Sequence, residues 1–393
     1  MGALTVLLIM GTVSGGVGIP GIRNIIKQAA EKDGTDESDG PVNDAAETKL
    51  ELLEQLVDNY YKDDKDSEAM TEGLYKGYID GLGDPYSVYY DEEETKAVQE
   101  TTSGEYSGVG AVLTQDAETG VITILQVYPD SPAEEAGLKD NDILYKVNDE
   151  EVTGIDLTEV VSHIKGDEGT TVDITVLRGE SAKEITTTAT RRKIEAVTVT
   201  YEMKEGHVGY IRISEFDSVT YEQYKTALED LEKQGMERLI VDLRNNPGGN
   251  LDTVVDILDL MLPEGTVVSM KDKRGKETVY SSDAEHTFDK PLVVMMNGYS
   301  ASASEIYAGA IQDYGAGEIV GTQSFGKGVV QQVFDLKDGT SVKLTIAEYF
   351  TPSGRSIHGE GVTPDVEIDY EPDENNPDSD NQLEKAIEVV NNL

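Results

Sequence analysis

The residues best suited to chemistry lie in a serine-rich segment, Ser300-Ala-Ser-Ala-Ser-Glu305, which follows an apolar run and precedes a predicted helix. Small side chains let a substrate approach the backbone closely. A serine at a helix N-terminus also lies beside free N–H groups and the positive end of the helix dipole. This is suitable ground for a nucleophile that generates an oxyanion. Alone, however, the segment is more typical of a serine-rich helix cap, so the prediction depends on a partner base.

Lysine is the residue type left to serve as that base, because the chain has no cysteine and its four histidines bear no recognisable relation to the serine segment. Lys327 is flanked by Phe325, Val329 and Val330. Such neighbours favour desolvation, which lowers a lysine pKa from ~10.4 toward neutrality. Gln331 follows in a predicted strand, from which its side chain can return and orient the lysine amine by hydrogen bonding.

Two other motifs in this region predict different chemistry. Residues 321–328 nearly match a phosphate-binding loop, but they lack its final hydroxyl and precede a β-branched run that indicates a strand. A nucleotide-driven protein would require magnesium-dependent ATP binding by this loop. The spacing S-x-x-K occurs at Ser324 and Lys327, but it occurs again at Ser162 and Lys165, and no S-D-N or K-T-G motif accompanies it.

Composition excludes several classes of function. With 77 acidic and 32 basic residues, the formal net charge is −45, which repels phosphate backbones, so we expect no nucleic-acid partner. Without cysteine or paired histidines, no metal site and no cofactor are expected. The 393 residues, 38% of them hydrophobic, predict a globular protein of several domains.

Changes in residue pattern along the chain predict its domains. A run without charged side chains begins the chain and indicates a signal peptide or membrane anchor. Later segments alternate helical periodicity, short β-rich runs, and strands with helices, the last pattern being typical of α/β proteins. The expected divisions are 1–22 (signal peptide or anchor), 23–47 (acidic linker), 48–104 (helical region), 105–190 (β domain with one helix), 191–370 (α/β core) and 371–393 (acidic linker and C-terminal helix).

The β domain resembles PDZ domains. The resemblance is carried by Ser131-Pro-Ala-Glu-Glu-Ala-Gly-Leu138 and Asn141-Asp-Ile-Leu144. Asn141 replaces the usual glycine, and asparagine tolerates the positive φ required there. In PDZ domains a glycine loop presents backbone N–H groups to the C-terminal carboxylate of a peptide, which adds along a sheet edge. The resemblance places that loop at Ser107, Gly108, Val109 and Gly110.

The chain from about 49 to 370 resembles the carboxyl-terminal processing, or tail-specific, serine proteases. Four further motifs occur in order: Gly83-Asp-Pro-Tyr-Ser87, Asp242-Leu-Arg-Asn-Asn-Pro-Gly-Gly249, Ser300-Ala-Ser-Ala-Ser-Glu-Ile306 and Phe325-Gly-Lys-Gly328. By motif, the nucleophile falls on Ser302, the general base on Lys327 and the supporting glutamine on Gln331. The resemblance implies that the backbone N–H groups of Gly248 and Ala303 stabilise the oxyanion.

This resemblance also implies a fold and a function. The expected fold is α/β (α+β multidomain), with a ClpP/crotonase-like α/β protease core, an inserted PDZ domain and an N-terminal helical segment. The expected activity is that of a serine endopeptidase, without cofactor, acting on protein or peptide substrates with free C-termini. It implies an extracytoplasmic bacterial protein, secreted or associated with the membrane through its N-terminal segment, and allows a homodimer. The alternative is a catalytically silent PDZ adaptor that binds protein C-termini.

Overall fold

The computed structural model describes residues 40–393, apart from 118, 180, 284, 374, 375, 377 and 378. The signal peptide or anchor expected at 1–22, and the linker expected from 23 as far as residue 39, lie outside the described residues. Among the helices that are described, none combines the length and hydropathy needed to cross a membrane. The chain divides into two compact units, Met1–Gly73 and Leu74–Leu393.

The secondary structure of the described residues is as follows. The helices are α1 (Asp44–Tyr60), α2 (Ser67–Asp80), α3 (Glu92–Ser103), α4 (Pro132–Glu135), α5 (Leu157–Ile164), α6 (Thr220–Lys233), α7 (Leu251–Asp259), α8 (Ala303–Tyr314) and α9 (Asn381–Val390). The strands are β1 (Val88–Tyr90), β2 (Glu105–Gly108), β3 (Ala111–Gln115), β4 (Ile122–Val127), β5 (Ile143–Val147), β6 (Glu150–Glu151), β7 (Thr171–Arg178), β8 (Lys183–Thr190), β9 (Arg192–Glu195), β10 (Val199–Lys204), β11 (Val208–Ile213), β12 (Arg238–Asp242), β13 (Gly265–Asp272), β14 (Glu277–Ser282), β15 (Leu292–Met296), β16 (Glu318–Gly321), β17 (Val329–Asp335), β18 (Ser341–Phe350) and β19 (Val366–Glu367).

Helix α1 begins at Asp44, earlier than the expected boundary at 48. The reason is local: Asn43 is the N-cap, and its side chain accepts a hydrogen bond from the N–H of Ala46 at 3.0 Å. Large apolar side chains of this helix lie in solvent, since Leu53 and Tyr60 are each 49% exposed. Amphipathic periodicity therefore predicted the helix, although no residue of α1 is buried.

The β domain is an antiparallel sheet with strand order β3-β4-β5-β7-β8. Helix α5 packs against β3 and β5 through Val160 and Ile164, which join one apolar core with residues of the sheet such as Ile124. Asn141 has a φ of 67°, as the turn chemistry predicted. The short strands β2 and β9 pair with each other and connect this domain to the rest of the chain. Strand β3 therefore lies at a sheet edge beside a helix.

The α/β core is built on a second sheet with strand order β10-β11-β12-β15-β16-β19. All neighbours after the first pair are parallel. Helices α6, α7 and α8 cover one face, where Tyr224, Val254 and Tyr307 are buried. Helix α9 covers the other face with Ala386 and Val390. Because the carboxyl ends of parallel strands meet at one edge, the loops after β12 and β15 come together there.

A third sheet lies next to the loop that carries Lys327. Its strand order is β1-β18-β13-β14, and β17 pairs with β18 as an antiparallel hairpin. Strand β1 follows directly after residues 83–87 and pairs with β18. The loop before β17 carries Lys327, so this sheet brings the N-terminal part of the second unit to the lysine.

Candidate active site

Ser302 lies on a sharp turn between β15 and α8. Its φ of 56° and ψ of −113° are unusual for a residue with a side chain, and such strain is characteristic of functional sites. The turn is held by two hydrogen bonds. The N–H of Ser302 donates to Glu305 Oε2 at 2.9 Å, and its carbonyl accepts from the Tyr349 hydroxyl at 3.1 Å. The backbone is therefore fixed on both sides of the serine.

The two neighbouring serines have structural contacts. Ser300 Oγ donates to the carbonyl of Leu243 at 2.8 Å, and Ser304 Oγ donates to the carbonyl of Asn246 at 3.0 Å. Both serines are 1% exposed. They join the loop after β15 to the loop after β12. Of the three serines, Ser302 is the one that lines the adjoining cavity.

Lys327 has the electrostatic environment expected of a lysine base. Partial burial lowers its pKa below the usual range, and the nearby positive charge of Lys343 lowers it further, while Glu305 and Asp84 act in the opposite direction. Its Nζ lies 4.9 Å from the centroid of the Tyr86 ring. Desolvation is the largest of these influences, so the neutral amine becomes accessible nearer to physiological pH.

The segment 83–87 positions the tyrosine that contacts this lysine. Ser87 Oγ donates to Asp84 Oδ2 at 2.6 Å, and the N–H of Thr345 on β18 donates to Ser87 Oγ at 3.1 Å. These bonds hold the turn against the third sheet, with the Tyr86 ring beside Lys327. In the sequence, residues 83–87 contribute to the family resemblance, but they indicate no chemical role. The spacing of the motif could not indicate its contact with Lys327, because Tyr86 and Lys327 are far apart along the chain.

A single cavity of about 730 Å³ is lined by all five residues assigned to the chemistry, namely Gly248, Ser302, Ala303, Lys327 and Gln331. The expected contacts among them are not formed in this conformation. Within the described part of the chain, no hydrogen bond joins Ser302 Oγ to Lys327 Nζ, or Lys327 to Gln331. Gln331 Nε2 instead lies 3.4 Å from Thr345 Oγ1. Catalytic hydrogen bonds are often absent until substrate binds, so a shared cavity is the meaningful observation.

The two backbone groups expected at the oxyanion differ from each other. Ala303 is the first residue of α8, so its N–H has no acceptor in the preceding helical turn. Gly248 lies beside it, since a Cβ built on Gly248 would be 2.8 Å from Ser302 Cβ and 3.0 Å from Ala303 N. However, the N–H of Gly248 donates to Asn246 Oδ1 at 2.8 Å. The expectation that this N–H is directed at the oxyanion therefore does not hold in this conformation.

Glu305 is the main residue that the sequence analysis left without a role. It is fully buried and accepts four hydrogen bonds. The donors are Ser302 N at 2.9 Å, Ser324 Oγ at 2.5 Å, Gly326 N at 2.7 Å and Lys327 N at 2.9 Å. One carboxylate thus joins the backbone of Ser302 to the backbone of Lys327. The spacing S-x-x-E from Ser302 to Glu305 is typical of a capping box and was the available signal.

The two competing motifs do not form their usual sites. Ser324 Oγ donates to Glu305 and accepts from the N–H of Val362 at 2.6 Å, so it is engaged in structure. The segment 321–328 leads into strand β17, as its β-branched residues predicted, and not into the helix that a phosphate loop requires.

The predicted peptide-binding segment lies at the edge of the β domain. Ser107 and Gly108 end strand β2, and Val109 and Gly110 lead into edge strand β3. Helix α5 lies next to β3, so strand edge and helix form a groove of the kind that accepts an added peptide strand. The groove is narrow here: a pocket of only about 20 Å³ is lined by apolar side chains that include Leu113 and Ile164.

Comparison with known proteins matches three family models along the chain. Residues 14–95 match the activating protease CtpB N-terminal domain, residues 123–178 match the PDZ domain, and residues 207–368 match peptidase family S41. The PDZ match lies between the other two, which confirms the inserted PDZ domain.

Curated relatives agree with these matches. The carboxy-terminal processing protease CtpB of Bacillus subtilis is 36% identical over 362 residues, covering 90% of this chain and 75% of the relative. A protein of Staphylococcus epidermidis named as a CtpA-like serine protease is 38% identical over 323 residues, covering 81% of this chain and 65% of the relative. The chain thus spans about two thirds of the length of such relatives.

A solved S41 protease of Bacteroides fragilis shares the fold, with a TM-score of 0.53 and 19% identity over 85% of this chain and 93% of that one. This likeness confirms the α/β multidomain architecture. The identity to CtpB of Bacillus subtilis and the match to peptidase family S41 confirm the family resemblance found in the sequence. The chain belongs to peptidase family S41, the family of the carboxy-terminal processing proteases.

Proposed function

We propose that the protein is a serine endopeptidase that cleaves protein substrates with a Ser302–Lys327 dyad. The observation that carries the proposal is the shared cavity, in which a strained serine at a helix N-terminus and a desolvated lysine are tied by one buried carboxylate. Burial lowers the pKa of Lys327, which does not help a lysine whose role is only structural. A general base needs a lowered pKa, because it must be unprotonated to accept a proton.

The reaction follows from these positions. The neutral amine of Lys327 leaves the Tyr86 ring and takes the proton of Ser302 Oγ, which attacks the scissile carbonyl. The N–H of Ala303 stabilises the oxyanion. The N–H of Gly248 joins it after rotation of a peptide unit that glycine permits. The protonated lysine gives its proton to the leaving amine, and water then releases the acyl-enzyme. Gln331 orients the amine during these steps.

The PDZ groove supplies substrate. We assign residues 105–190 to a PDZ domain in which Ser107, Gly108, Val109 and Gly110 hold the free C-terminal carboxylate of a protein or peptide.

We assign residues 191–370 to the protease core, 48–104 to an N-terminal helical region and 371–393 to a C-terminal acidic segment and helix. We further propose a location outside the cytoplasm of a bacterium, with the protein secreted or anchored by its N-terminal segment, and the proposal allows a homodimer.

Incubation with an unfolded polypeptide that bears either a free or an amidated C-terminus tests this function. Mass spectrometry of the products reports cleavage, its position and its dependence on the tail in one measurement. The protein should cleave the substrate with the free C-terminus faster, and Ser302→Ala should abolish cleavage. Ser281→Ala, which removes an exposed hydroxyl on β14, is the matched control and should retain activity.

Two outcomes would contradict the proposal. Tight binding of tail peptides without cleavage under any condition would favour the silent PDZ adaptor. Cleavage by the Ser302→Ala protein at the wild-type rate would assign the nucleophile elsewhere. Circular dichroism of both variants separates loss of chemistry from loss of fold.

A further inference from the structure

The catalytic cavity has a second wall that the proposed reaction does not use. Besides Ser302 and Lys327, the cavity is lined by Glu215 and Asp217, which we call the acidic wall. These two carboxylates lie in the segment between β11 and α6. Phe216, between them, is fully buried in the core, so the alternation of side chains directs Glu215 and Asp217 together toward the cavity.

Asp217 is a largely buried residue that lines the cavity, and no described residue pairs with its carboxylate. The residue is only 5% exposed. Its N–H is engaged, at 2.9 Å from Thr220 Oγ1, but within the described residues its carboxylate makes no hydrogen bond and no ion pair. Burial, followed by the negative charge of Glu215, raises the pKa of Asp217 to about 7. A desolvated charge without a partner is unfavourable, so this side chain gains free energy when a cation or donor enters the cavity.

The acidic wall is connected to Ser302 through Gly248. The N–H of Phe216 donates to the carbonyl of Gly248 at 2.9 Å, and the N–H of Asn250 donates to the carbonyl of Phe216 at 2.6 Å. Gly248 in turn touches Ser302, since a Cβ built on this glycine would lie 2.8 Å from Ser302 Cβ. An extended peptide advances about 3.3 Å per residue. A substrate residue within about two positions of the scissile bond therefore reaches the acidic wall.

We propose that Asp217, together with Glu215, is a specificity-determining subsite that binds the cationic side chain of a lysine or arginine close to the scissile bond. This inference rests on the proposed function. An ammonium or guanidinium group both neutralises the repulsion between the two carboxylates and supplies the missing donors. Among the described residues no group of three or more metal-ligating side chains occurs, so the pair matches an organic cation better than a metal ion. The net charge of −45 also attracts basic polypeptides.

A set of unstructured peptides that share one free C-terminal tail tests the subsite. In each peptide one residue among the three on either side of the mapped scissile bond is lysine, norleucine or glutamate. At pH 8, kcat/KM for lysine should exceed that for norleucine by about 10- to 100-fold at one position, with glutamate lowest. Asp217→Asn should reduce this ratio to about one, and Asp217→Lys should reverse the preference toward glutamate.

Asp252→Asn is the matched control. Asp252 lines the same cavity from α7, but it is exposed, so this variant should keep the lysine-to-norleucine ratio of the wild type. Equal cleavage of lysine and norleucine peptides at every position, or an unchanged ratio in Asp217→Asn, would overturn the subsite and leave the protease proposal intact.

Two further measurements apply if the peptides are not cleaved or if Asp217→Asn does not fold. If no peptide is cleaved, the proposed function fails, and fluorescence anisotropy with the Ser302→Ala protein then decides the subsite. Tighter binding of the lysine peptide would support the subsite, and equal binding would overturn it. If Asp217→Asn does not fold, Glu215→Gln is measured in its place. A lower lysine-to-norleucine ratio in Glu215→Gln supports the subsite, whereas the wild-type ratio overturns it.

Discussion

Two buried carboxylates at the catalytic cavity differ in how their oxygens are used. Glu305, fully buried, accepts four hydrogen bonds from the segments that carry Ser302 and Lys327. Asp217, 5% exposed, accepts none from the described residues. A saturated carboxylate is part of the scaffold, because ligand binding would have to break existing bonds. An unsaturated one is prepared for a ligand. Burial alone would not have distinguished them.

The largest effect is expected at Lys327, whose backbone N–H donates to Glu305. Lys327→Arg keeps the positive charge, but a guanidinium does not lose its proton at physiological pH. Loss of a general base should lower kcat by roughly 10²–10⁴-fold, measured with a peptide whose cleavage site is known. In the wild type, kcat/KM should rise with pH as the amine loses its proton, with a midpoint below the usual lysine pKa because burial lowers it.

Lys271→Arg is the control for this substitution, since Lys271 is an exposed lysine on β13. It should retain activity. Near-normal turnover by Lys327→Arg would show that another group accepts the serine proton.

The next largest effect is expected at Gly248, which lies between Ser302 and the acidic wall. Gly248 has a φ of 107°, and a Cβ added there would lie 2.7 Å from the carbonyl oxygen of Ala301. Gly248→Ala should therefore displace the loop and lower kcat by about 10²–10³-fold, as expected for the loss of one oxyanion donor. Gly275→Ala separates backbone strain from the close contact, because Gly275 has a φ of 77° with no atom within 4 Å of the added Cβ. Equal activity of the two variants would remove Gly248 from the reaction.

A smaller effect, on stability, follows from saturation at Glu305. Glu305→Gln replaces a charged acceptor with an amide whose NH₂ faces donors, so it should lower the free energy of unfolding by about 3 kcal/mol. Urea denaturation measures this change. Glu264→Gln, at an exposed position, should change stability by less than about 0.5 kcal/mol. An unchanged midpoint for Glu305→Gln would mean that the four hydrogen bonds contribute little.

The smallest effect has the opposite sign and belongs to Asp217. Its pKa is about 7 when folded and ~3.9 when unfolded, so the folded state binds the extra proton and loses stability as pH rises between these values. The difference between these pKa values corresponds to about 4 kcal/mol at pH 8. Asp217→Asn should recover about 2 kcal/mol of it at pH 8, because the buried amide is also left without hydrogen-bond partners, and it should give no gain at pH 4.

The pH comparison must account for the other charged groups around Asp217. Glu215 lies in the same segment, Asp252 faces the cavity from α7, and Lys327 and Lys343 line it from the third sheet and its preceding loop. Asp252→Asn is again the control and should show no comparable gain. Equal stabilisation by Asp217→Asn at pH 4 and pH 8 would contradict the prediction, because it would show that the gain does not come from titration of this carboxyl.

Local signals predicted much of the scaffold. The limits of α8 follow from the small residues before Ala303 and from Gly315, whose φ of 62° ends the helix. Strand β15 is a continuous apolar run and is buried throughout. By contrast, the hairpin of β13 and β14 was not predicted, because its alternation is weak and half of it lies on an exposed edge.

Motif resemblance selects candidate residues for the site, but it does not give the contacts between them. Motif resemblance selected Ser302 and Lys327, and the fold places them on one cavity. Sequence could not reveal that the lysine amine lies over the Tyr86 ring, because that contact depends on pairing of β1 with β18 across some 250 positions. Nor could spacing reveal that Asn246 holds the N–H of Gly248, since a two-residue turn permits several hydrogen-bond patterns.

The shared acceptor at Glu305 makes separate segments of the chain one cooperative unit. The amide hydrogens of Ser302, Gly326 and Lys327 all point at the same carboxylate, so displacement of this carboxylate exposes all three to exchange with solvent deuterium. The free energies of opening derived from their exchange should be similar, and the turn and the loop should open together on the way to denaturation.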